Sequence, residues 1–486
     1  MNPYIILSVF LTYTILLFII SWWTSRKSNN NSFFLGDKSS PWYVVAYGMI
    51  GASLSGVTFI SIPGVVGQAK FSYMVIVFGY LLGYFIIAKV LLPLYYKLKL
   101  TSIYSYLHTR FGMASYKTGA SFFLLSRIIG ASFRMFLVIN ILQIFVFNAF
   151  GIPFWLTVIG FVGLILLYTF KAGIKTIVWT DTLQTTFMLL AVFMSIYFIS
   201  VHLNTKVIDL YKTIDSKGLT QMFFSDWKHP YFFVKQFLSG VFIAIVMTGL
   251  DQDMMQKNLS CRNIKEAQKN MYWLSWVLIP VNFLFLSLGG ILFYYAQTQG
   301  ISIDGTSDTL FPSIALQHLG MSAGIVFIIG LIAAAYSSAD SALTSLTTSF
   351  SIDILGINRK EGITNEEKER TRKKVHFAMA FVLVLVITAY ELINDQAIIT
   401  KLFTIAGFTY GPLLGLFSFG LFSNRQVIDK WVPVISILAP LLSYLIKILA
   451  PKILWGYQFG FELLIINGLL MFLGLLLISN HKTTEE

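Results

Sequence analysis

Long apolar runs separated by short polar connections recur along the whole chain. Each run is close to the roughly 20 residues that a helix needs to cross the hydrocarbon core of a bilayer. The pattern predicts an all-α integral membrane protein with about thirteen transmembrane helices, near 3-24, 42-69, 71-96, 119-148, 152-170, 176-203, 231-256, 271-297, 321-353, 375-393, 397-422, 431-450 and 459-479. Because no long polar stretch remains between these runs, we expect one transmembrane domain over residues 1-486.

Composition supports a membrane protein. The chain has 486 residues, of which 56% are hydrophobic and 12% are charged, whereas soluble domains carry roughly 25% charged residues. The mean hydropathy is +0.73. A single cysteine, Cys261, excludes a disulfide framework and any multi-cysteine metal or cluster site.

The net charge of +13 reports topology. If the N-terminus lies outside, most of the 35 Lys and Arg fall in cytoplasmic loops, Lys257 among them. This asymmetry predicts a plasma (inner) membrane protein with its N-terminus outside and its C-terminus in the cytoplasm, and it requires no nucleic-acid partner. The first run, 3-24, has no positive residue before it and no small-residue cleavage site after it, so we expect a retained helix and not a removed signal peptide.

Glycine, serine and proline interrupt two of the predicted spans, at 46-67 and 237-256. Backbone that leaves the helix at membrane depth is tolerated only inside protein or beside a cavity, and paired interruptions point to a transporter binding site. Each interruption opens a group of five spans, over 42-203 and 231-422. Five is odd, so the groups have opposite orientations, as in an inverted repeat, with an extra helix at 3-24 and two more at 431-479. The alternative is a helix that merely contains flexible residues.

The stretch "AAAYSSADSALTS" at 333-345 is unusually polar for a membrane span. Ala334, Ser337, Ser338 and Ser341 fall on one helix face, and Asp340 flanks that face. Serines often bond back to their own helix or pack against a neighbouring helix. That alternative leaves the carboxylate unexplained, because an Asp at mid-membrane costs roughly 2.5 to 3.5 kcal/mol and needs a partner or a function.

Hard cations prefer oxygen ligands, which these hydroxyls and the free carbonyls of a broken helix supply. The nearest break is "GASLSG" at 51-56, so a Na⁺ between the two spans is our first interpretation. A second intramembrane acid, Asp181 in "IVWTDTLQTTF", is either an interfacial helix cap or a second cation ligand.

At these residues the chain resembles the sodium:solute symporters, which include bacterial sialic acid, proline and galactose transporters. The likeness lies in six segments that occur in the family's order: "LSGVTFISIPG" (54-64), "TSIYSYLHTRFG" (101-112), "VWTD" (178-181), "DQDMMQKNL" (251-259), "AAAYSSADSA" (333-342) and "AGFTYGPLLGLF" (406-417). Together they cover nearly the whole chain.

The resemblance implies a LeuT-like fold and one shared sodium site, formed by Gly51, Leu54, Ala334, Ser337 and Ser338. In the sialic acid branch it further implies a second sodium site, which falls on Asp181, Ser337, Asp340 and Ser341. That branch has a serine where this chain has Asp340. A second carboxylate would either strengthen cation binding or make the site proton-responsive.

The family's substrate pocket lies at the first broken helix, which places Ser53, Ser55 and Thr58 in contact range. These residues are equally consistent with helix packing.

The sialic acid branch meets the substrate carboxylate with an Arg of the fourth span, for which Arg127 and Arg134 compete here. A buried Arg suits bidentate binding of a carboxylate, although it also suits a structural partner for Asp or for free carbonyls. Against sialic acid itself, Gly79 stands where that branch has a ligand-contacting glutamine, so a sugar acid or a sugar remains open.

These observations predict a Na⁺-coupled symporter that imports a small polar organic solute by alternating access, using one or two Na⁺. The expected partners are the solute, Na⁺ and the lipid bilayer, with no obligatory protein partner evident. An enzyme is not expected, because no histidine falls deep in a span or forms an HExxH-type pair. The alternatives are a Na⁺- or H⁺-linked transporter of an amino acid or monocarboxylate, and a membrane solute sensor that does not transport.

Overall fold

The computed structural model describes residues 3-26, 28-171, 173-301, 307-392, 398-454 and 456-480. It is all-α, with 81% of the chain in helices. The strands of the described residues are Gln426–Val427 and Ser479–Asn480, which pair antiparallel. This confirms the predicted all-helical class.

We number the long helices in chain order. They are α1 Pro3–Thr24, α2 Trp42–Ala69, α3 Tyr73–Lys97, α4 Met113–Phe145, α5 Phe154–Thr169, α6 Ile174–His202, α7 Phe233–Gly249 continued by Gln252–Leu259, α8 Ile264–Thr298, α9 Met321–Ile354, α10 Asn365–Tyr390, α11 Ile398–Phe422, α12 Val432–Ile453 and α13 Leu463–Leu477. Shorter helices, Asn30–Leu35, Ser105–Arg110, Val207–Ser216 and Leu310–Ser313, lie in the connections.

Ten of the described helices are long and apolar enough to cross a membrane, and the two arms of α7 make an eleventh span if they are counted together. The remaining two predicted spans coincide with α5 and α13, which have 16 and 15 residues. Fifteen residues rise only about 22 Å, which is less than the roughly 30 Å of a bilayer core. The count of thirteen spans therefore stays a prediction. Residue 397, where one predicted span begins, lies outside the described residues.

Three helices begin well before the predicted spans, and one of them is α4, which starts at Met113 and not at 119. Helix α8 starts at Ile264 and not at 271, and α10 starts at Asn365 and not at 375. Asn263 caps α8 by accepting from the Glu266 N–H, and a capping box caps α10. Hydropathy detects only the apolar part of a helix, whereas side-chain caps fix where its backbone hydrogen bonding begins.

Helix α2 lies at the centre of the bundle and α12 at its edge. In the most apolar part of each helix, 89% of the residues of α2 are buried, compared with 22% in α12. Helix α2 packs against α6, α8 and α9. An apolar residue exposed on α12 faces the region where lipid would lie, while a polar residue on α2 faces protein.

Both predicted interruptions are real breaks. In α2, Ser55 has φ 56° and ψ 172°, which is not helical. In α7, the two arms meet at 64°. The second arm begins where it does because the Asp251 side chain accepts from the Asp253 and Met254 N–H groups, as an N-cap residue does.

Glycines allow α3 and α7 to pack in backbone contact. A Cβ built at Gly79 would overlap the Phe237 carbonyl oxygen, and one at Gly240 would overlap the Ile76 carbonyl oxygen. Close approach of this kind is a common use of small residues between membrane helices. The α7 break is thus held against α3.

We predict that Gly79→Ala destabilises the protein, because its methyl group forces α3 away from α7. We expect a loss of roughly 1 to 3 kcal/mol, as for other overpacked sites, visible as a lower midpoint of thermal unfolding in detergent. Gly160→Ala in α5 is the matched control, because a Cβ there meets nothing within 4 Å. Equal midpoints for the two variants would contradict the close contact of α3 with α7.

Candidate substrate and ion sites

The break in α2 lies at Ser55, which is not a glycine. Ser55 has a positive φ of 56°, a region that side chains with a Cβ seldom occupy and that is often found at functional sites. A helix that breaks leaves carbonyls of its last turn without their usual partners. In the described part of the chain, no side chain and no other element donates to the carbonyl oxygens of Gly51 and Leu54.

The polar stretch of α9 lies against this break. A Cβ built at Gly56 would lie 3.9 Å from the Ala335 nitrogen and 4.0 Å from the Ala334 carbonyl carbon. Ser337 and Ser338 are both fully buried. The structure thus brings together the elements that carry Gly51, Leu54, Ala334, Ser337 and Ser338, which are far apart in sequence.

The two adjacent hydroxyls have different partners. Ser337 Oγ donates to Asp181 Oδ1 at 2.8 Å, and Ser338 Oγ donates to the Ala334 carbonyl at 3.3 Å. The second bond is the back-bonding that the sequence left as an alternative. Each hydroxyl oxygen keeps lone pairs that are able to coordinate a cation.

Asp181 forms a buried ion pair with a lysine. Lys257 Nζ lies 2.7 Å from Asp181 Oδ2, and both side chains are about 1% exposed. The predicted loop position of Lys257 is therefore wrong. The second arm of α7 runs to Leu259, past the predicted end of the span at 256, and it carries Lys257 back into the protein.

Asp340 lies beside this pair and has its own set of donors. Its Oδ2 accepts from Tyr168 Oη at 2.8 Å, from Gln184 Nε2 at 3.4 Å and from Thr180 Oγ1 at 3.5 Å. Its Oδ1 accepts from the backbone N–H and the hydroxyl of Ser341. Among the described residues, no Lys, Arg or His lies within 4 Å of this carboxylate.

A cavity opens beside the α2 break. All five residues proposed for the substrate line it: Ser53, Ser55, Thr58, Arg127 and Arg134. Polar groups that the sequence did not single out also line it, namely Tyr73, Tyr80, Tyr84, Thr248 and Asn282.

The two arginines differ in what they contact. Arg127 forms an ion pair with Asp253 and lies 3.8 Å from Asp251. Tyr410 Oη also donates to Asp251. These two acids belong to the break of α7, so Arg127 ties α4 to that break.

Arg134 has no acid within ion-pair distance in the part of the chain that the structure describes, and its Nε has no hydrogen-bond partner. The side chain is 9% exposed. An unpaired buried guanidinium is unfavourable, and an anionic partner would offset that cost.

Sequence reasoning missed Asp251, Asp253 and Lys257 as core residues. A signal was available, because two carboxylates lie within an apolar span, and Asp253 and Lys257 are four residues apart on one face of a short helix. The three tyrosines of α3 also share a face, since Tyr73, Tyr80 and Tyr84 are spaced by seven and four residues.

The structure gives a physical reason for Gly79. This residue faces α7, where the Phe237 carbonyl leaves no room for a side chain. A side chain here is thus incompatible with this helix packing, and Gly79 is not among the residues that line the cavity.

Comparison with known proteins agrees with this arrangement. Residues 33–427 match the model of the sodium:solute symporter family. The chain is 24% identical over 429 residues to the sodium/sialic acid symporter SiaT of Proteus mirabilis, covering 84% of this chain and 83% of that one. It is 26% identical over 345 residues to the sodium/glucose cotransporter of Vibrio parahaemolyticus, covering 66% and 62% of the two chains.

The fold is shared with solved transporters. A Na⁺-coupled sialic acid symporter, in a substrate-bound outward-open state, superposes with a TM-score of 0.82 at 20% identity, covering 98% of this chain and 99% of that one. A nucleobase-cation-symport-1 family transporter in a closed conformation gives 0.57 at 15% identity. Since the family model spans most of the sequence and the fold agrees from end to end, this chain belongs to the sodium:solute symporter family.

Proposed function

We propose that this protein couples Na⁺ entry to the uptake of a small organic anion such as a sugar acid. The observation that carries the proposal is Arg134, whose guanidinium lines the cavity and has no acid within ion-pair distance among the residues that the structure describes. Arg binds carboxylates in a bidentate manner. A transported carboxylate would supply the charge that the cavity lacks.

Charge pairing favours Arg134 over Arg127 as the substrate ligand. Arg127 already contacts Asp251 and Asp253, so a substrate carboxylate would compete with two buried acids for the same guanidinium. Binding there would also leave those acids without a counterion, which is strongly unfavourable. Arg134 presents neither obstacle.

The rest of the lining suits a hydroxylated solute. The hydroxyls of Ser53, Tyr73 and Tyr80 and the amide of Asn282 line the cavity. A site built from hydrogen-bonding groups discriminates strongly against solutes that cannot pair with them. A simple monocarboxylate would leave several of these groups unpaired.

We place the coupling Na⁺ between the α2 break and α9, with the Gly51, Leu54 and Ala334 carbonyls and the hydroxyls of Ser337 and Ser338 as ligands. The proximity of Gly56 to Ala334 supports this placement. All five ligands are neutral oxygens, which suits a weakly held, exchangeable monovalent ion.

Alternating access follows from two inverted groups of five helices, α2 to α6 and α7 to α11. The non-helical Ser55 in α2 and the 64° bend in α7 are the corresponding breaks that support this repeat. Helix α1 would be the extra N-terminal helix, with α12 and α13 as the two that follow. Transporters of this kind rock one bundle about a fixed midplane site.

The free energy available from the membrane potential and the Na⁺ gradient indicates how many Na⁺ are needed per solute. At 100 mV each charge moved inward contributes about 2.3 kcal/mol, and a tenfold Na⁺ gradient contributes about 1.4 kcal/mol. One Na⁺ with a neutral solute supports about 500-fold accumulation. A monovalent anion with one Na⁺ loses the voltage contribution and keeps only about tenfold, so an anionic substrate favours two Na⁺.

A thermal-shift screen of the purified protein would identify the solute. Sugars, sugar acids, amino acids and monocarboxylates are each added in NaCl and in KCl, and we expect stabilisation by a sugar acid only in NaCl. Radiotracer uptake of that compound into proteoliposomes, with and without a Na⁺ gradient, then tests coupling. Equilibration that ignores the gradient would contradict symport, and binding without uptake would favour a sensor.

We predict that Arg134→Ala weakens binding of the anion found in that screen by roughly 10- to 100-fold, because a charge-assisted hydrogen bond contributes about 1.5 to 3 kcal/mol. Thermal stability without ligand should be nearly unchanged, since no ion pair is broken. Arg127→Ala is the comparison. It should lower the free energy of unfolding by about 3 to 5 kcal/mol, because it leaves the buried carboxylate of Asp253 without its counterion. The opposite pattern in the two variants would assign the substrate to Arg127.

We predict that Ser338→Ala raises the Na⁺ concentration for half-maximal uptake several-fold, because it removes one of the ion's five oxygens. Ser345→Ala is the matched control: Ser345 is also buried on α9, and its hydroxyl bonds to its own helix at Ala342. Unchanged Na⁺ dependence in Ser338→Ala would remove Ser338 from the ion site.

We further propose that the N-terminus lies outside and the C-terminus inside, as the charge asymmetry indicates. Single cysteines replacing the exposed Lys217 and Lys360 test this in intact cells. The native Cys261 should not interfere, because burial raises the pKa of its thiol to about 12. We expect a membrane-impermeant maleimide to label Lys217→Cys and not Lys360→Cys. The reverse labelling would show that the N-terminus lies in the cytoplasm.

A further inference from the structure

Lys89 lies on a face of α3 that points away from the rest of the protein. Leu82, Phe85 and Lys89 share one helix face, and all three side chains are exposed, Phe85 at 50%. Among the described residues, no Asp or Glu lies within 4 Å of the Lys89 ammonium group. The exposed face of a membrane helix contacts lipid, where an ammonium group is unfavourable unless it reaches the interface or an anion.

The backbone of α3 fixes the depth of Lys89 against α8. A π-helical turn at Ile87–Leu91 is followed by Pro93, which has no N–H. Together they leave the Ala88 carbonyl without a donor from its own helix, and Gln268 Nε2 of α8 donates to it at 2.9 Å. Lys89 therefore lies at the level of Gln268.

Helix α8 carries two more lysines at this level. Lys265 lies three residues before Gln268 and Lys269 one residue after it, and both are exposed. In the part of the chain that the structure describes, neither forms an ion pair within 4 Å, and neither does Glu266, the acid of the same turn. Two helices thus present three unpaired ammonium groups next to the same contact.

Aromatic side chains indicate that this level is the headgroup layer. Trp273 and Trp276 follow Lys269 on α8 and are 39% and 67% exposed. Tryptophan is enriched at membrane–water interfaces, with its ring near the headgroups. The rings of Phe85 and Tyr272 lie 6.2 Å apart across the two helices, on the side towards the hydrocarbon. The surface therefore combines positive charge at the interface with apolar side chains beneath it.

We propose that Lys89, Lys265 and Lys269 bind the phosphate of an anionic phospholipid, whose acyl chains pack against the exposed apolar side chains of α3 and α8. Basic groups near a membrane surface attract anionic lipids, and lysine binds phosphate as a point charge. With the N-terminus outside, this lipid belongs to the cytoplasmic leaflet. Because α3 and α8 come from different halves of the chain, one bound lipid links the two halves. This inference goes beyond the proposed transport activity.

The test measures binding of the first lipid to the purified full-length protein in neutral detergent, by native mass spectrometry. Phosphatidylglycerol is compared with phosphatidylcholine of the same acyl chains. One lysine near an anionic surface contributes about fivefold in affinity, so Lys89→Gln should weaken phosphatidylglycerol binding about fivefold. Combining it with Lys265→Gln and Lys269→Gln should weaken binding roughly 100-fold. Binding of phosphatidylcholine should not change.

Two control variants separate a site from a general effect of charge. Lys360→Gln removes the same charge from an exposed loop before α10, and it should leave phosphatidylglycerol binding unchanged. Lys89→Arg keeps the charge and should keep the affinity. Equal weakening by Lys360→Gln and Lys89→Gln would overturn the site, because it would show that only the net charge matters.

A soluble competitor separates a lipid site from a phosphate site. Glycerol 3-phosphate carries the charged group without acyl chains, so it should not displace phosphatidylglycerol. Displacement by it would overturn the lipid assignment. Equal affinity of the unaltered protein for the two lipids, or unchanged phosphatidylglycerol binding in the triple variant, would overturn the proposal as well.

Thermal unfolding checks that the variants fold. The three lysines are exposed and unpaired among the described residues, so midpoints measured in phosphatidylcholine should equal that of the unaltered protein. A lower midpoint there would assign Lys89 to helix packing and overturn its role in lipid binding. None of these measurements depends on Na⁺ or on the solute, so their failure would leave the proposed symport untouched.

Discussion

Backbone groups freed by a break inside a membrane have to be satisfied without water, and this constraint shapes both broken helices. In α7 the protein satisfies them itself. Tyr95 and Tyr104 donate to the carbonyls of Gly249 and Leu250 at 2.8 and 2.9 Å, and Asp251 accepts from the next arm. In α2, no side chain among the described residues donates to the carbonyls of Gly51 and Leu54. Side chains thus satisfy the carbonyls at the α7 break, and they do not reach those of Gly51 and Leu54 in α2, where we propose that Na⁺ binds.

Most buried charges near these breaks are likewise paired within the protein. Arg127 pairs with Asp253, and Lys257 pairs with Asp181. In the described part of the chain, Arg134 has no acid within ion-pair distance, and the buried acids Asp340 and Asp353 have no basic side chain within 4 Å. The low dielectric of the interior makes each unpaired charge costly. The unpaired guanidinium of Arg134 beside the cavity supports the proposed anionic solute.

Helix packing connects these sites. The glycine contacts between α3 and α7 hold the α7 break near the tyrosines of the cavity. Arg127 on α4 reaches the same break through Asp253. Helix α9 contacts both α2 and α6. An ion or solute that changes one of these contacts therefore acts on elements from both halves of the chain.

The sequence by itself determined the membrane class, the family, most helix positions and the two breaks. These features depend on local properties: apolar length, glycine and serine at membrane depth, and short motifs. It was less reliable where a helix continues beyond its apolar part, as at Ile264 and Asn365, because capping side chains and not hydropathy set those ends.

Only the tertiary structure decided which charges are paired. From the sequence, either Arg127 or Arg134 could bind the substrate, because residues seven apart lie on the same helix face. Lys257 was assigned to a loop from the length of the apolar span. Neither property reveals which side chain of another helix lies opposite. The contacts Arg127 to Asp253 and Lys257 to Asp181 join residues more than 70 positions apart. Such pairings arise from helix packing, since a low dielectric makes the match of opposite charges depend on a few ångströms.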